Sequence, residues 1–163
     1  MSKRFIKKLH HAAYRCQNSE ITRQFYEGFL RLPLSGALEI NKTKTGRKTS
    51  VLHTFYELKD KSYLAFFEDP NQPFDFKNQH DFDLHIALEV EEKDLLKMIR
   101  EANDNNIEIR GISDHNFISS IYLRDPNGYV VELTSKNSNH GEHLFPDNKS
   151  ARDILNNWSN NKR

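Results

Sequence analysis

Two stretches of this sequence match each other and decide the fold: Leu9-His-His11-Ala-Ala-Tyr-Arg-Cys16 and Asp83-Leu-His85-Ile-Ala-Leu-Glu-Val90. Each has the composition of a strand, and each is followed by a segment whose apolar residues recur at helical spacing. Aligning the two stretches pairs His11 with His85. The second half of the chain is therefore predicted to repeat the first.

The elements after each stretch are predicted in the same order. The first half gives a helix capped by Asn18 or Ser19, with strands near 6–16, 37–42, 50–58 and 62–68. The second half gives a helix at about 92–105, with strands near 83–90, 107–111, 117–123 and 129–135. Asp125-Pro-Asn-Gly128 is a hairpin turn signal. The fold prediction is α+β, with two βαβββ repeats, 5–68 and 82–135, in one domain spanning 1–136.

The tail, 137–163, is rich in Asn and Ser and is predicted to be loose, except for a short helix near its end. There Ala151, Ile154, Leu155 and Trp158 form an apolar helical stripe. We expect that stripe to dock on the core or on a partner subunit. A homodimer is expected because sheets with exposed edges tend to pair.

Composition excludes several classes of partner. Lys+Arg 24 against Asp+Glu 23 gives a formal charge of +1 without a basic block, so neither nucleic acid nor an anionic membrane is expected to bind. The basic N-terminus has no apolar run behind it and is not expected to be a signal peptide or anchor. A single cysteine, Cys16, fits a reducing cytoplasm and is interpreted as a small core residue.

Two carboxylates also align. Leu64-Ala-Phe-Phe-Glu68 against Tyr129-Val-Val-Glu132 puts a glutamate at the end of an apolar strand in each half. An unpaired carboxylate there is costly, so each needs a partner, and a metal ion is one. Any single histidine is more often a hydrogen-bonded core or surface residue than a ligand. The repeat of one His and one Glu in both halves favours a divalent-ion site.

Strand parity assigns faces to the histidines, because side chains alternate across a strand. His85 shares a face with Ala87, opposite the apolar Ile86 and Leu88. His11 shares one with Ala13 and Arg15. A further histidine, His53, can be placed by shifting Tyr122 of the second half onto the first half with the same offset as the repeat. This puts His53 on the side of its strand away from the face of His11, so we expect it not to contact substrate.

With these residues in view, the chain resembles the vicinal oxygen chelate superfamily over residues 8–135. The resemblance lies in His11 followed by Arg15, in Phe25-Tyr-Glu-Gly-Phe-Leu30, in His85-Ile-Ala-Leu-Glu-Val90, and in Asp125-Pro-Asn-Gly-Tyr-Val-Val-Glu132. It implies a glyoxalase-like cup made of two βαβββ units. It also implies that His11, His85 and Glu132 bind a divalent metal ion, with Glu68 as a possible fourth ligand.

A sharper resemblance is to the extradiol dioxygenase signature, carried by His115, Tyr122 and Glu132. It implies that His115 and Tyr122 are catalytic and line the pocket of a small aromatic or vicinal-diol substrate. Two His and one carboxylate on Fe(II) leave open positions for a chelating diol and dioxygen. A departure is that no histidine shortly before His85 is placed to act as the dioxygenase acid/base; His80 is a poor substitute.

Glyoxalase I is the competing resemblance, with Ni or Zn as the metal; Mn is a further possible ion for the predicted site. Its set of two His and two Glu is met by His11, Glu68, His85 and Glu132, and its glutathione-contacting arginine by Arg15 as a substrate-binding residue. The asparagine that follows its first glutamate is here Gln72, which departs from the pattern. A metal-independent binding or antibiotic-resistance protein is the third alternative.

Overall fold

The computed structural model describes residues 5–161, whose strands form two sheets of four. The strands are β1 His11–Cys16, β2 Leu34–Lys42, β3 Lys48–Glu57, β4 Tyr63–Glu68, β5 Ile86–Glu89, β6 Ile109–Asp114, β7 Ile118–Arg124 and β8 Val130–Lys136. The helices are α1 Ser19–Arg23, which continues as a π-helical stretch over Gln24–Phe29, α2 Glu92–Asp104, α3 His140–His143 and α4 Lys149–Asn161.

Both sheets have the same strand order, β1-β4-β3-β2 in the first and β5-β8-β7-β6 in the second. The first strand of each half pairs in parallel with the last strand of that half. The α+β class and the repeated βαβββ order are therefore confirmed.

The chain divides into two compact units that differ from the predicted repeats. The first contains the residues up to His85 together with Arg124–Val130, and the second contains Ile86–Leu123 and the residues from Val131 onward. The segment that carries Asp125-Pro-Asn-Gly128 thus packs with the first unit, although it connects β7 to β8.

In the first unit, apolar side chains of β1, β3 and β4 pack against the first helix; Cys16, Phe25, Tyr26, Tyr56, Leu64 and Phe66 are buried. Asn18 caps that helix as predicted, with its Oδ1 accepting from the amide of Ile21 at 2.9 Å. Cys16 is 1% exposed, which confirms its interpretation as a core residue.

The turn after β7 is held in the first unit by buried polar contacts. The Tyr26 hydroxyl donates to Oδ2 of Asp125 at 3.1 Å, and the side-chain amide of Asn127 donates to Thr22 Oγ1 at 3.2 Å. Gly128 has φ +91°, and a Cβ there would meet the amide nitrogen of Lys77 at 2.7 Å. Both the positive φ and the close backbone therefore require glycine at this position.

In the second unit, α2 packs on one face of the sheet. Leu95, Met98 and Ala102 of the helix are buried, as are Ile86, Leu88, Ile121, Leu123, Val131 and Leu133 of the strands. The parity predicted for β5 is confirmed, because Ile86 and Leu88 are buried while Ala87 and Glu89 are exposed.

The tail helix differs from expectation. Ile154, Leu155 and Trp158 of α4 are each about two-thirds exposed (67%, 64% and 67%). The prediction that this stripe docks on the core is therefore wrong, while its docking on a partner stays a prediction. No helix among residues 5–161 is both long and apolar enough to cross a membrane.

Candidate active site

The second sheet brings His115, Tyr122 and Glu132 together. Nε2 of His115 lies 3.0 Å from the Tyr122 hydroxyl, and the same hydroxyl is hydrogen-bonded with Glu132. Tyr122 lies on β7 and Glu132 on β8, on the face opposite the apolar residues that pack against α2. Glu132 is 4% exposed, so its carboxylate depends on such partners.

The Tyr122 hydroxyl is held in its protonated form. Desolvation by burial raises its pKa above the ordinary value of 10.0, and the negative charge of Glu132 raises it further. The Arg110 guanidinium, 4.8 Å from the centre of the Tyr122 ring, opposes that shift. Tyr122 therefore keeps its O–H, and because a carboxylate can only accept, this O–H donates to Glu132 while Nε2–H of His115 donates to the Tyr122 oxygen.

The hairpin that carries His115 is braced by Asn137, just after β8. Its side-chain amide donates to the carbonyl of Asn116 at 3.1 Å, and its Oδ1 accepts from the Ser119 hydroxyl at 3.1 Å. The backbone amide of Asn137 also donates to the carbonyl of Phe117 at 3.0 Å. The sequence did not predict this role of Asn137, because no motif or periodicity distinguishes it from the other polar residues of the tail.

His85 lies immediately before β5 and is exposed. Its Nδ1 is 2.7 Å from the carbonyl of Asp81, which accepts a hydrogen bond from it. A histidine that donates through Nδ1 presents an unprotonated Nε2, which is the form in which imidazole binds a metal ion. Two residues further on, Ala87 pairs with Glu132 across the parallel ladder.

His11 begins β1 and is exposed. Its Nδ1 lies 2.9 Å from Nδ1 of His10, so one ring donates and the other accepts. The predicted face is confirmed, since His11 pairs with Tyr63 and Arg15 with Phe67 along the same side of the ladder.

Glu68 is not the counterpart of Glu132. Glu132 pairs with Ala87, the second residue after His85. The second residue after His11 is Ala13, which pairs with Ala65. The alignment that equated the two glutamates is therefore wrong by three residues, and alanine occupies the position in the first half.

The Glu68 carboxylate instead meets the start of α1, where its Oε2 accepts from the amide of Ser19 at 2.6 Å. The first amides of a helix have no partner within it, and a carboxylate there is stabilised by the helix dipole. This contact satisfies a carboxylate for which a metal ion was expected. The role of Glu68 as a fourth ligand stays a prediction, but the alignment with Glu132 no longer supports it.

His53 lies on the face of His11, not away from it. It pairs with Phe67, whose ring is stacked on the imidazole with centroids 3.6 Å apart and planes at 8°. Its Nδ1 is 3.1 Å from the Phe66 carbonyl, and the residue is 7% exposed. The expected placement of His53 is therefore wrong.

Arg15 shares this face and turns its guanidinium toward the loop after β4. Its Nη2 is 3.4 Å from the carbonyl oxygens of both Asp69 and Gln72. Its Nε–H is buried and has no hydrogen-bond partner among residues 5–161. A buried guanidinium donor without a partner is costly, so an anionic or carbonyl acceptor there is favourable.

The donor set predicted for a metal ion is two imidazoles and one carboxylate. The hydrogen bond from Nδ1 of His85 and the burial of Glu132 fit that use. Within residues 5–161, no three His, Cys, Asp or Glu side chains already lie together as a metal-binding group. Of the predicted site residues, the structure thus joins His115, Tyr122 and Glu132 by hydrogen bonds.

Residues 8–133 match the model of the Glyoxalase/Bleomycin resistance protein/Dioxygenase superfamily. Comparison with curated protein sequences gives no match. Solved structures similar in fold include a glyoxalase/dioxygenase from Nostoc punctiforme, with 19% identity, a TM-score of 0.64, and 85% of this chain and 97% of that one covered.

Two further similar structures are an antibiotic-related pair. The fosfomycin resistance protein FosX from Listeria monocytogenes has 15% identity and a TM-score of 0.59, with 83% of this chain and 98% of that one covered. The antibiotic-binding protein TnmS3 from Streptomyces sp. CB03234 has 13% identity and a TM-score of 0.60, with 83% and 100% covered. At such identities the likeness shows the fold alone.

Proposed function

Because the chain belongs to the Glyoxalase/Bleomycin resistance protein/Dioxygenase superfamily, we propose that it is a metal-dependent enzyme that cleaves a small aromatic diol by extradiol-type chemistry. The observation that carries the proposal is the hydrogen-bonded chain His115–Tyr122–Glu132. In the proposal His11, His85 and Glu132 bind Fe(II), and His115 and Tyr122 act on the substrate.

The bound ion supplies open coordination positions for a chelating diol and for dioxygen. The protein supplies the proton chemistry. Tyr122, kept protonated by its raised pKa, donates a hydrogen bond to a substrate oxygen. His115 donates from Nε2–H to the Tyr122 oxygen at 3.0 Å and stabilises negative charge that develops beside it. Its other ring nitrogen, Nδ1, receives the proton that the diol loses.

The alternative of glyoxalase I chemistry is weaker, for a reason found in the first sheet. The resemblance to glyoxalase I requires Glu68 to act as the fourth metal ligand and as the base. Alanine stands at the position equivalent to Glu132, and the Glu68 carboxylate accepts from the start of α1. A metal-free binding protein remains the second candidate, because the antibiotic-binding protein TnmS3 has a similar fold.

The test begins with metal uptake. Protein reconstituted without oxygen is offered Fe(II), Mn(II), Ni(II) and Zn(II) in turn, and bound metal is measured. We expect about one ion per chain, and about 10- to 100-fold weaker binding in His85→Ala. Failure of wild type to take up any of the four ions would contradict the enzyme proposal and favour the binding protein.

The second step measures the reaction. Fe(II)-loaded protein is given catechols and dioxygen, and Ni(II)- or Zn(II)-loaded protein is given methylglyoxal and glutathione. We expect oxygen consumption with a yellow ring-opened product, reduced about 100-fold in Tyr122→Phe and in His115→Ala. Lys44→Ala, in the exposed turn between β2 and β3, is the control and keeps the rate. Thioester formation, or loss of fosfomycin in a parallel assay, would replace the dioxygenase proposal.

The homodimer also stays a proposal. Helix α4 exposes an apolar surface that a dimer interface could bury, formed by Ile154, Leu155 and Trp158. Sedimentation of the full chain checks it, and a monomer at micromolar concentration would contradict it.

A further inference from the structure

One face of the first sheet carries an aromatic cluster, formed by β1, β3 and β4. Its members are His11, His53, Phe55, Tyr63 and Phe67, here called the aromatic platform. His53 stacks on Phe67 at 3.6 Å and approaches the Phe55 ring to 4.2 Å. Phe55 in turn lies 6.0 Å from His11 and 6.2 Å from Tyr63. The rings thus form a continuous series from one end of the face to the other.

Small residues lie in the middle of this face. Ala13 pairs with Ala65, and Ala65 pairs with Phe55. The neighbouring rings cover Ala65, which is buried, while the Ala13 methyl group is exposed. Phe55 and Phe67 are half-buried and keep part of their ring surface exposed. Half-exposed rings beside an exposed alanine favour a flat, apolar ligand that lies against the sheet.

The two ends of the platform differ in charge. Arg15 lies at the Phe67 end, with its buried Nε–H lacking a partner among the described residues 5–161. At the other end the Glu57 carboxylate accepts from the Tyr63 hydroxyl at 3.3 Å. Lys61 pairs with the same Glu57 carboxylate at 2.7 Å, so the charge at the Tyr63 end is balanced. An anionic group on a ligand is therefore attracted to the Arg15 end.

We propose that the aromatic platform binds a planar aromatic substrate whose acidic group pairs with Arg15 while its ring stacks on Phe67 and Phe55. This names the substrate class of the enzyme and rests on the proposed function, in which the opposite end of the substrate lies toward His11. His11 and Arg15 are four residues apart on one strand, about 13 Å at ~3.3 Å per residue. The span exceeds one benzene ring with its carboxylate, so the substrate has two rings or a ring with a side chain.

The binding test uses the full chain without added metal and aromatic acids that do not chelate. Biphenyl-4-carboxylate, benzoate and the neutral 4-biphenylmethanol are titrated by calorimetry and by ligand-observed NMR. We expect biphenyl-4-carboxylate to bind most tightly, with benzoate and the alcohol each weaker by about tenfold, because one loses ring contact and the other the charge-assisted hydrogen bond.

Variants locate the site. Arg15→Gln is expected to weaken biphenyl-4-carboxylate binding by about tenfold and to leave the alcohol unaffected. Phe67→Leu is expected to weaken both ligands by about fivefold, and Phe67→Tyr, which keeps the ring, to bind as wild type. Arg47→Gln is the control for charge alone: Arg47 lines a cleft of about 360 Å³ with Gln72, and its loss is expected to change little. Melting curves confirm that each variant is folded.

Three outcomes overturn the proposal: no binding by wild type, equal binding of the acid and the alcohol, or equal losses in Arg15→Gln and Arg47→Gln. None of these depends on metal or turnover. If the acids bind as expected and no ring cleavage is found, the substrate class stands and the dioxygenase proposal fails. If catechol is cleaved while these acids do not bind, the reverse holds.

Discussion

The two sheets share one topology and have opposite chemistry on equivalent faces. In the first, Ala65 pairs with Phe55, and Phe67 pairs with His53. In the second, Glu132 stands at the position of Ala65 and contacts Tyr122, and Thr134 stands at the position of Phe67 and accepts from the Ser120 hydroxyl at 3.1 Å. One face is therefore aromatic and the other is hydrogen-bonded.

The difference indicates that the two halves of the repeat have different roles. Each half has a histidine at the start of its first strand, and so has one of the predicted metal donors. The first half has a methyl group where the second has a carboxylate, with aromatic rings around it, which suits binding. The second half has kept the carboxylate and linked it to Tyr122 and His115, which suits proton transfer.

The strongest way to break this comparison is to give the first half the residue of the second. Ala65 is 0% exposed, and its neighbours on this face are rings. Ala65→Glu buries a carboxylate without a partner and crowds Phe55, so we expect it to lower the free energy of unfolding by about 3–5 kcal/mol. Urea unfolding monitored by circular dichroism measures the loss.

Ala13→Glu is the matched control, since Ala13 is the pairing partner of Ala65 but is exposed. There we expect a loss below about 0.5 kcal/mol. Equal losses at the two positions would contradict the described difference in burial across the ladder. Rescue of Ala65→Glu by Ni(II) or Zn(II) would mean that the first half can still accept a fourth ligand.

A second prediction concerns how the turn after β7 is fixed. Tyr26→Phe removes the donor to the buried Asp125 carboxylate, and we expect a loss of about 2 kcal/mol in the free energy of unfolding. Tyr63→Phe removes a donor to the half-buried Glu57 carboxylate, which Lys61 also pairs at 2.7 Å, so its effect is expected to be below about 0.5 kcal/mol. The same unfolding measurement ranks the two, and a larger loss at Tyr63 would contradict the contribution assigned to the turn.

Much of the architecture followed from periodicity. The repeat of strand and helix order, the cap at Asn18, the helix from residue 92 and the faces of β1 and β5 were all predictable, because each rests on a local pattern. The tail helix was predicted as well, but its position was not. An apolar stripe shows that a helix has something to bury without showing where.

The site was predicted less evenly, and two errors have one cause. The strand Tyr63–Phe67 is apolar throughout, so it has no alternation to fix its register against the second half. Matching Glu68 to Glu132 slipped the alignment by three residues. An odd slip reverses every face, which is why His53 was expected away from the face of His11. The strand pairing, a contact far apart in sequence, supplied what composition could not.

A third, smaller effect sharpens the reinterpretation of Glu68. Glu68→Gln removes the charge that meets the first turn of α1, and we expect a loss of about 1 kcal/mol in unfolding free energy with unchanged metal uptake. Glu91→Gln is the control, because Glu91 precedes α2 without a side-chain cap hydrogen bond. A tenfold loss of metal affinity in Glu68→Gln would instead restore it as a ligand.

The smallest expected effect is a pH dependence that differs in sign between two turn aspartates. Asp60, before β4, is exposed, and hydrogen bonds from Ser62 lower the pKa of its carboxyl below 3.8. Asp125, before β8, accepts similar amide hydrogen bonds, but burial raises the pKa of its carboxyl above 3.8. The same turn chemistry thus gives opposite shifts, because only one turn is buried.

Linkage gives the sign of each effect on folding. The contribution of Asp60 is present above pH 3.8 and is lost as pH falls through its lower folded pKa. That of Asp125 is present below pH 3.8 and is lost as pH rises through its higher folded pKa. Unfolding free energies between pH 3 and pH 7 for wild type, Asp60→Asn and Asp125→Asn measure both. The Asp125→Asn variant should gain on wild type as pH rises above 3.8, while Asp60→Asn should lose against wild type as pH rises toward 3.8. Slopes of the same sign would mean that the two turns share one environment.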